Sequence, residues 1–382
     1  MDFPERFLWG AAGSAHQTEG NNVSSDLWAL ENSPGSPFSE RSGDACDSYH
    51  RWPEDLDLVR DLGLNAYRFS VEWARVEPVE GHFSLAALGH YRRIVEGCLA
   101  RGLTPVVTLH HFTSPLWFQQ DGGWLGSGAA DRFRAYTRAV VPILDGVEWV
   151  CTLNEPNLLA MLSSRISGGS GGGVAGELPA PEQAATDALT AAHRAAREEL
   201  AGKKSGWTIA NQNFQGPAEL RDAWAWPRED QFLAAAVDDD FIGVQAYTRV
   251  IVGEDGALPV AGDARRTLTG WEFYPPAVGE AVRHTAACAP GVPILVTENG
   301  IATADDAERI EYTTGALAGL HEAMTEGADV RGYLHWSLLD NYEWGSYRPT
   351  FGLVSVDRDG FRRTAKPSAR WLGEVARANR LD

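Results

Sequence analysis

The chain is short of cysteine, short of basic residues and without any long apolar run. Its four cysteines, Cys46, Cys98, Cys151 and Cys288, are scattered through 382 residues with no metal-type spacing. That pattern does not read as a disulfide framework; it points to reduced thiols and a cytoplasmic location. Lys and Arg number 33 against 52 Asp and Glu, a formal net charge of -19. Such a balance repels nucleic acid and anionic membranes, so polyanionic partners are excluded. No stretch approaches the ~18 consecutive apolar residues of a membrane span. The opening Met1–Arg6 shows no basic region leading into an apolar stretch, so no export leader is expected. No Gly-x-Gly-x-x-Gly or phosphate-loop motif follows an apolar run, which argues against a nucleotide cofactor.

What is present is a large apolar complement and an unusual stock of indoles. Hydrophobic residues make up 44% of the chain, enough for a sizeable core, and there are 14 Trp. Indole faces suit the C–H faces of sugar rings, although Trp also fills ordinary cores where its N–H finds a partner. Eight strand-like runs recur: Phe7–Ser14, Ala66–Trp73, Pro105–His111, Glu148–Asn154, Trp207–Asn213, Phe241–Tyr247, Pro293–Glu298 and Gly332–Leu338. Helical patterns lie between most of them, at Pro53–Leu62, Leu85–Arg101, Asp131–Leu144, Ala184–Leu200 and Ala307–Glu326. Within Pro53–Leu62 the apolar residues Leu56, Val59 and Leu62 fall on one helical face. Repeated strand–helix alternation predicts a single (β/α)8 barrel domain over residues 1–382, with a doubly wound open sheet as the alternative. The Gly- and Ser-rich stretch Ser167–Gly176 reads as a loop within that domain.

In a parallel barrel the chemistry sits at the C-terminal ends of the strands. Those ends carry Gln17, Trp73, His111, Asn154, Glu155, Asn211, Tyr247, Glu298 and Trp336, a set of amides, carboxylates, a histidine and aromatics. Glu155 and Glu298 each close an apolar run, in Thr152-Leu153-Asn154-Glu155-Pro156 and Val296-Thr297-Glu298-Asn299-Gly300. Two carboxylates meeting over one cavity are what glycosidic hydrolysis requires, one as proton donor and one as nucleophile or base.

These phrases resemble the family 1 glycoside hydrolases, the β-glucosidase family. The likeness runs from Phe7–Ala12 and Ser14–Gly20 through Tyr67–Trp73 and the two glutamate phrases to Val330–Tyr333 and Trp336–Trp344. It implies a retaining exo-β-glycosidase, a β-glucosidase that also accepts β-galactosides or β-fucosides, acting on a small-molecule β-glycoside without metal or organic cofactor. Glu298 would be the nucleophile, flanked by Arg68 and Tyr247, whose charge and hydrogen bond lower its pKa. Glu155 would be the acid/base, its pKa raised by a neighbouring ionised Glu298. Retention implies carboxylates ~5–5.5 Å apart. Gln17, His111, Asn154, Glu343 and Trp344 would bind sugar hydroxyls over Trp336, and Trp271 would carry the aglycone, with Trp117 and Trp124 as further entrance candidates. His110 lies outside the matching position. Both glutamates oppose a thioglucosidase or a non-catalytic binding relative; a transglycosylase is compatible with the same residues. The chain departs from the family at Gln245 and Ala246, where many relatives carry Asn and Tyr. It is also shorter than most relatives, which places the missing length in the barrel-top loops.

Overall fold

The structure is a computed structural model that describes residues 1–166 and 179–382. The predicted Gly- and Ser-rich loop lies outside the described residues. Eight parallel strands close into a barrel: β1 (Leu8–Ala12), β2 (Ala66–Ser70), β3 (Thr104–His110), β4 (Trp149–Asn154), β5 (Lys204–Ala210), β6 (Ile242–Gln245), β7 (Ile294–Asn299) and β8 (Val330–Trp336). β1 pairs with both β2 and β8, so the ring has no edge and the open-sheet alternative falls. Strands such as β4 and β7 are buried at every position. That is why they read as near-continuous apolar runs rather than as alternating ones.

Helices cover the outside. They include α1 (Ser48–Leu62), α2 (Leu85–Ala100), α3 (Ala129–Val140), α4 (Gln183–Glu199), α5 (Gln231–Ala235), α6 (Ala277–Cys288), α7 (Asp306–Thr325) and α8 (Pro367–Ala378). Two boundaries depart from expectation for local reasons. α1 starts at Ser48, not at Pro53, because Asp47 caps the helix in a left-handed conformation (φ 53°) and Pro53 is carried inside it. α3 stops at Val140 and tightens into a 3-10 turn over Val141–Ile143, where Pro142 has no N–H to continue the ladder.

The barrel lumen is plugged low down. Ala66, Val106, Trp149, Cys151, Phe241, Leu295 and Leu334, all buried, pack together from six different strands or strand approaches. Two residues further along β2 and β3, on the same lumen face, stand Arg68 and Thr108. The apolar plug therefore gives way to polar side chains in the next layer, toward the C-terminal strand ends. The register then aligns the polar residues: Asn154 lies beside Thr208, and Glu298 beside Gln245. Pairing shifts between Cys151 and Asn154 and between Val296 and Glu298, immediately before both site residues. Such irregularities re-aim side chains at barrel rims.

Candidate active site

Glu155 follows the last residue of β4 with a left-handed backbone, φ 47°. A non-glycine residue rarely sits there, and the surrounding structure must hold it. The Glu155 N–H donates to Thr208 O at 2.7 Å, and Pro156 begins the helix Pro156–Ile166. Asn157 locks that helix to the barrel. Its Nδ2 donates to Ala210 O (3.0 Å) and Arg228 O (2.9 Å), and its Oδ1 accepts from the Ala210 N–H (3.1 Å). Sequence reasoning overlooked Asn157, although it directly follows the Asn-Glu-Pro phrase.

Glu298 is held very differently. Its Oε1 accepts from Arg68 Nη1 (2.5 Å) and Gln245 Nε2 (2.9 Å), and its Oε2 from the Tyr247 hydroxyl (2.5 Å). Tyr247 is itself fixed: Tyr312 donates to its carbonyl at 2.6 Å, and Asn299 Nδ2 donates to Ala246 O at 2.6 Å. Asn154 Oδ1 gathers Arg68 Nη2 (2.5 Å), Gln245 Nε2 (2.8 Å) and Thr208 Oγ1 (3.1 Å), while its buried Nδ2 has no protein partner. Among the described residues, no donor reaches the Glu155 carboxylate.

The electrostatics follow that asymmetry. Burial pushes Glu155 well above the ordinary carboxylate range, and the nearby Glu298 charge pushes the same way. Arg68 and Tyr247 do pull Glu298 down, as expected, but burial outweighs them and its pKa stays raised. Of the two carboxyls, Glu155 is the one that keeps a proton. The Glu298 charge bears on Glu155, so the two strand ends open on one electrostatic environment.

A second cluster joins the first. Gln17 lies on the short helical turn Ala15–Thr18 after β1, beyond the end of the strand. Its Nε2 donates to Glu343 Oε2 (3.1 Å) and Asn341 Oδ1 (3.2 Å), and Trp336 Nε1 donates to Glu343 Oε1 (3.1 Å). His111 stacks near-parallel to Trp336 and Trp344, with centroids 5.7 and 6.2 Å away. Burial, and secondarily Arg68, keeps His111 neutral, and its buried Nδ1 has no protein partner. Burial first, then the Trp336 and Gln17 donors against the Glu298 charge, leaves Glu343 at about 8. Trp344 stays partly exposed at 37%.

Other expectations divide. Trp271 packs on Tyr247 (5.5 Å) and Phe351 (6.3 Å), at the edge of the Glu298 cluster. Trp124 is not an entrance residue: it is buried against Trp73, His110, Phe118 and Phe133. Trp117 also leans on Trp73 and donates its indole N–H to Glu77 O at 2.8 Å. Trp73 and Asn211 are structural; Asn211 Oδ1 accepts from the Gln245 backbone N–H at 3.2 Å. Gln245, one of the two departures from the family, bonds within the site: its amide reaches both Glu298 and Asn154.

The family profile described as "Glycosyl hydrolase family 1" matches residues 1–211 and 227–381. The chain belongs to glycosyl hydrolase family 1. This family 1 chain is 33% identical to "Thermostable beta-glucosidase B" of Thermobispora bispora over 443 aligned positions, covering 100% of this chain and 92% of the relative. That alignment is longer than the 382 residues here, so this family 1 member carries deletions. It is 32% identical to "Bifunctional beta-D-glucosidase/beta-D-fucosidase" of Bifidobacterium breve, with 97% of each chain covered. Its structure superposes on that of the β-glycosidase BGL167 with a TM-score of 0.92 at 44% identity, over 100% of this chain and 98% of the other. The stretch 212–226, outside the family profile, lies just beyond β5.

Proposed function

We propose that this family 1 hydrolase removes a terminal non-reducing β-D-glucosyl residue, and related β-galactosyl or β-fucosyl residues, by double displacement. One observation supports the assignment of roles more than any other: among the described residues three donors hold Glu298 and none reaches Glu155. Ionised Glu298 attacks the anomeric carbon while Glu155 passes its proton to the leaving oxygen. The glycosyl-enzyme ester has no charge, so the repulsion holding up the Glu155 pKa vanishes. Glu155 then accepts a proton from water, and the hydroxide so formed releases the sugar with its configuration retained.

The Gln17–Glu343–Trp336 network offers a bidentate acceptor and an amide to sugar hydroxyls. The Asn154 Nδ2 and His111 Nδ1 atoms without protein partners supply two further polar contacts. Trp336 would form the ring floor, Trp344 a wall, and Trp271 the aglycone platform. The names of the relatives favour glucoside hydrolysis over a transglycosylase or binding role. Residues 1–382 are read as one catalytic domain whose barrel needs neither metal nor organic cofactor for this chemistry. Among the described residues no helix is long and apolar enough to cross a membrane, and the four thiols are unpaired. The thiols support a cytoplasmic enzyme.

The test is a pair of variants. Glu298→Gly should abolish turnover of aryl β-glucosides, and azide should restore some activity with inverted product. Near-normal hydrolysis by that variant would remove Glu298 from the role. Glu155→Ala should lose ~10²–10⁴-fold on poor leaving groups and far less on activated aryl glucosides. Equal losses on both substrate classes would count against Glu155 as the acid.

A further inference from the structure

Outside the strands, on the solvent-facing helical layer, three residues of different chemistry converge. His284 and Cys288 lie one turn apart on α6, so both side chains project from the same face. Asp230 comes from the π-turn Trp226–Asp230 that precedes α5. His284 Nε2 is 2.7 Å from Asp230 Oδ1 and 3.6 Å from Cys288 Sγ. One ligand atom from each residue falls within 4.8 Å of the others.

We propose that Asp230, His284 and Cys288 form a binding site for a divalent transition metal of the zinc class. A thiolate, an imidazole and a carboxylate are a zinc donor set, and three protein ligands leave a fourth position for water. Tetrahedral bond lengths require about 3.5 Å between nitrogen and sulfur and about 3.4 Å between nitrogen and oxygen. The nitrogen–sulfur separation already fits. The Asp230 contact is a hydrogen bond that must open by roughly 0.6 Å to admit the ion. Asp230 and His284 are partly exposed, so their side chains have room to rotate.

Two surroundings favour a cation there. Cys288 closes α6, where carbonyls without helical partners give the helix its negative end, and His284 lies one turn before it. Glu229 lies beside Asp230 with its carboxylate turned inward, accepting from Asn211 Nδ2 and the Gln212 N–H at 2.8 Å each. Cysteine spacing alone hid the site, because two ligands are not cysteines and Asp230 is 54 residues from His284. A zinc-class ion needs a thiolate and a neutral imidazole, so binding releases protons and affinity falls as pH falls. The bound ion ties the segment between β5 and β6 to α6; it takes no part in glycoside chemistry.

The experiment uses the whole protein, stripped with a chelator and titrated with cobalt(II) alone and with zinc(II) alone. One equivalent of cobalt should produce tetrahedral visible bands and a near-ultraviolet thiolate-to-cobalt band. Cys46, Cys98 and Cys151 are buried, so that band reports Cys288. Zinc should displace the cobalt and raise the thermal midpoint. Cys288→Ser should erase the near-ultraviolet band, and both it and His284→Asn should weaken binding at least about tenfold while basal glycosidase activity stays unchanged. Absence of the thiolate band in the unmodified protein overturns the site, as does cobalt affinity that survives both substitutions.

Discussion

Gln245 makes one amide group bridge two side chains of the candidate site. Its Nε2 stands 2.9 Å from Glu298 Oε1 and 2.8 Å from Asn154 Oδ1. The reverse amide orientation would set its oxygen against both acceptors, so the donor assignment follows from the network. A hydrogen bond to an ionised carboxylate favours the charged form. Gln245→Ala should therefore raise the Glu298 pKa beyond its already elevated value. In the proposed mechanism Glu298 must be ionised to attack, so activity should be lost as pH falls through that pKa. The acid limb of the kcat/KM profile should move to higher pH, and kcat should fall about 10–100-fold with a smaller change in KM. An acid limb that stays in place while activity drops would reduce Gln245 to a packing role. Arg68, also bonded to Glu298, is additionally anchored by its Nε–H to Thr108 Oγ1 at 3.0 Å. Losing it would remove both charge and framework, so the amide variant is the cleaner probe.

At the scale of elements, the barrel depends on ties that cross long stretches of chain. Asp55 of α1 and Arg363 of the short strand Arg363–Ala365 form a buried pair, with Nε 2.9 Å from Oδ1. Burial raises the Asp55 pKa despite Arg363, so desolvation is not fully offset there. Asp55→Ala strands a buried guanidinium and should cost about 3–5 kcal/mol in denaturant unfolding. Pairing Asp55→Leu with Arg363→Met should recover much of that loss, since both charges leave together. If the double variant is as unstable as the single one, the tie matters through its geometry. All eight strands were legible because a strand buried on both faces reads as an apolar run with a polar stop. Their ends were less so. β5 begins at Lys204, three residues before the expected Trp207, because pairing with β4 supplies what apolar content does not. The glutamate phrases, Arg68, Tyr247 and the Gln17–Glu343 cluster were readable as motifs. Trp124 was misplaced because nothing local distinguishes a core indole from one at a rim. Gln245 was read only as a departure from the family; its bonds, like Asn157 and the Asp230–His284–Cys288 group, were missed because their partners lie on other strands and helices.

For the whole molecule, what matters is how the barrel sorts charge. The chain carries a net charge of -19, yet its lumen holds Arg68 directly above an apolar plug. Beside that guanidinium stand the buried Glu298 and Glu155, with the half-buried Glu343 within reach of the Glu298 charge. Glu155 and Glu343 have raised pKa values, so the site without sugar stores protons at neutral pH. A guest that arrives with its own positive charge would make those protons unnecessary. An ammonium-bearing sugar analogue, added at a pH where it is already cationic, should expel protons on binding. Calorimetry in two buffers of different ionisation heat measures that release; zero release or uptake would contradict it. Under the proposed mechanism the same trade applies to the fleeting oxocarbenium character of the reacting sugar, so the three acids would favour a half-broken glycoside over an intact one.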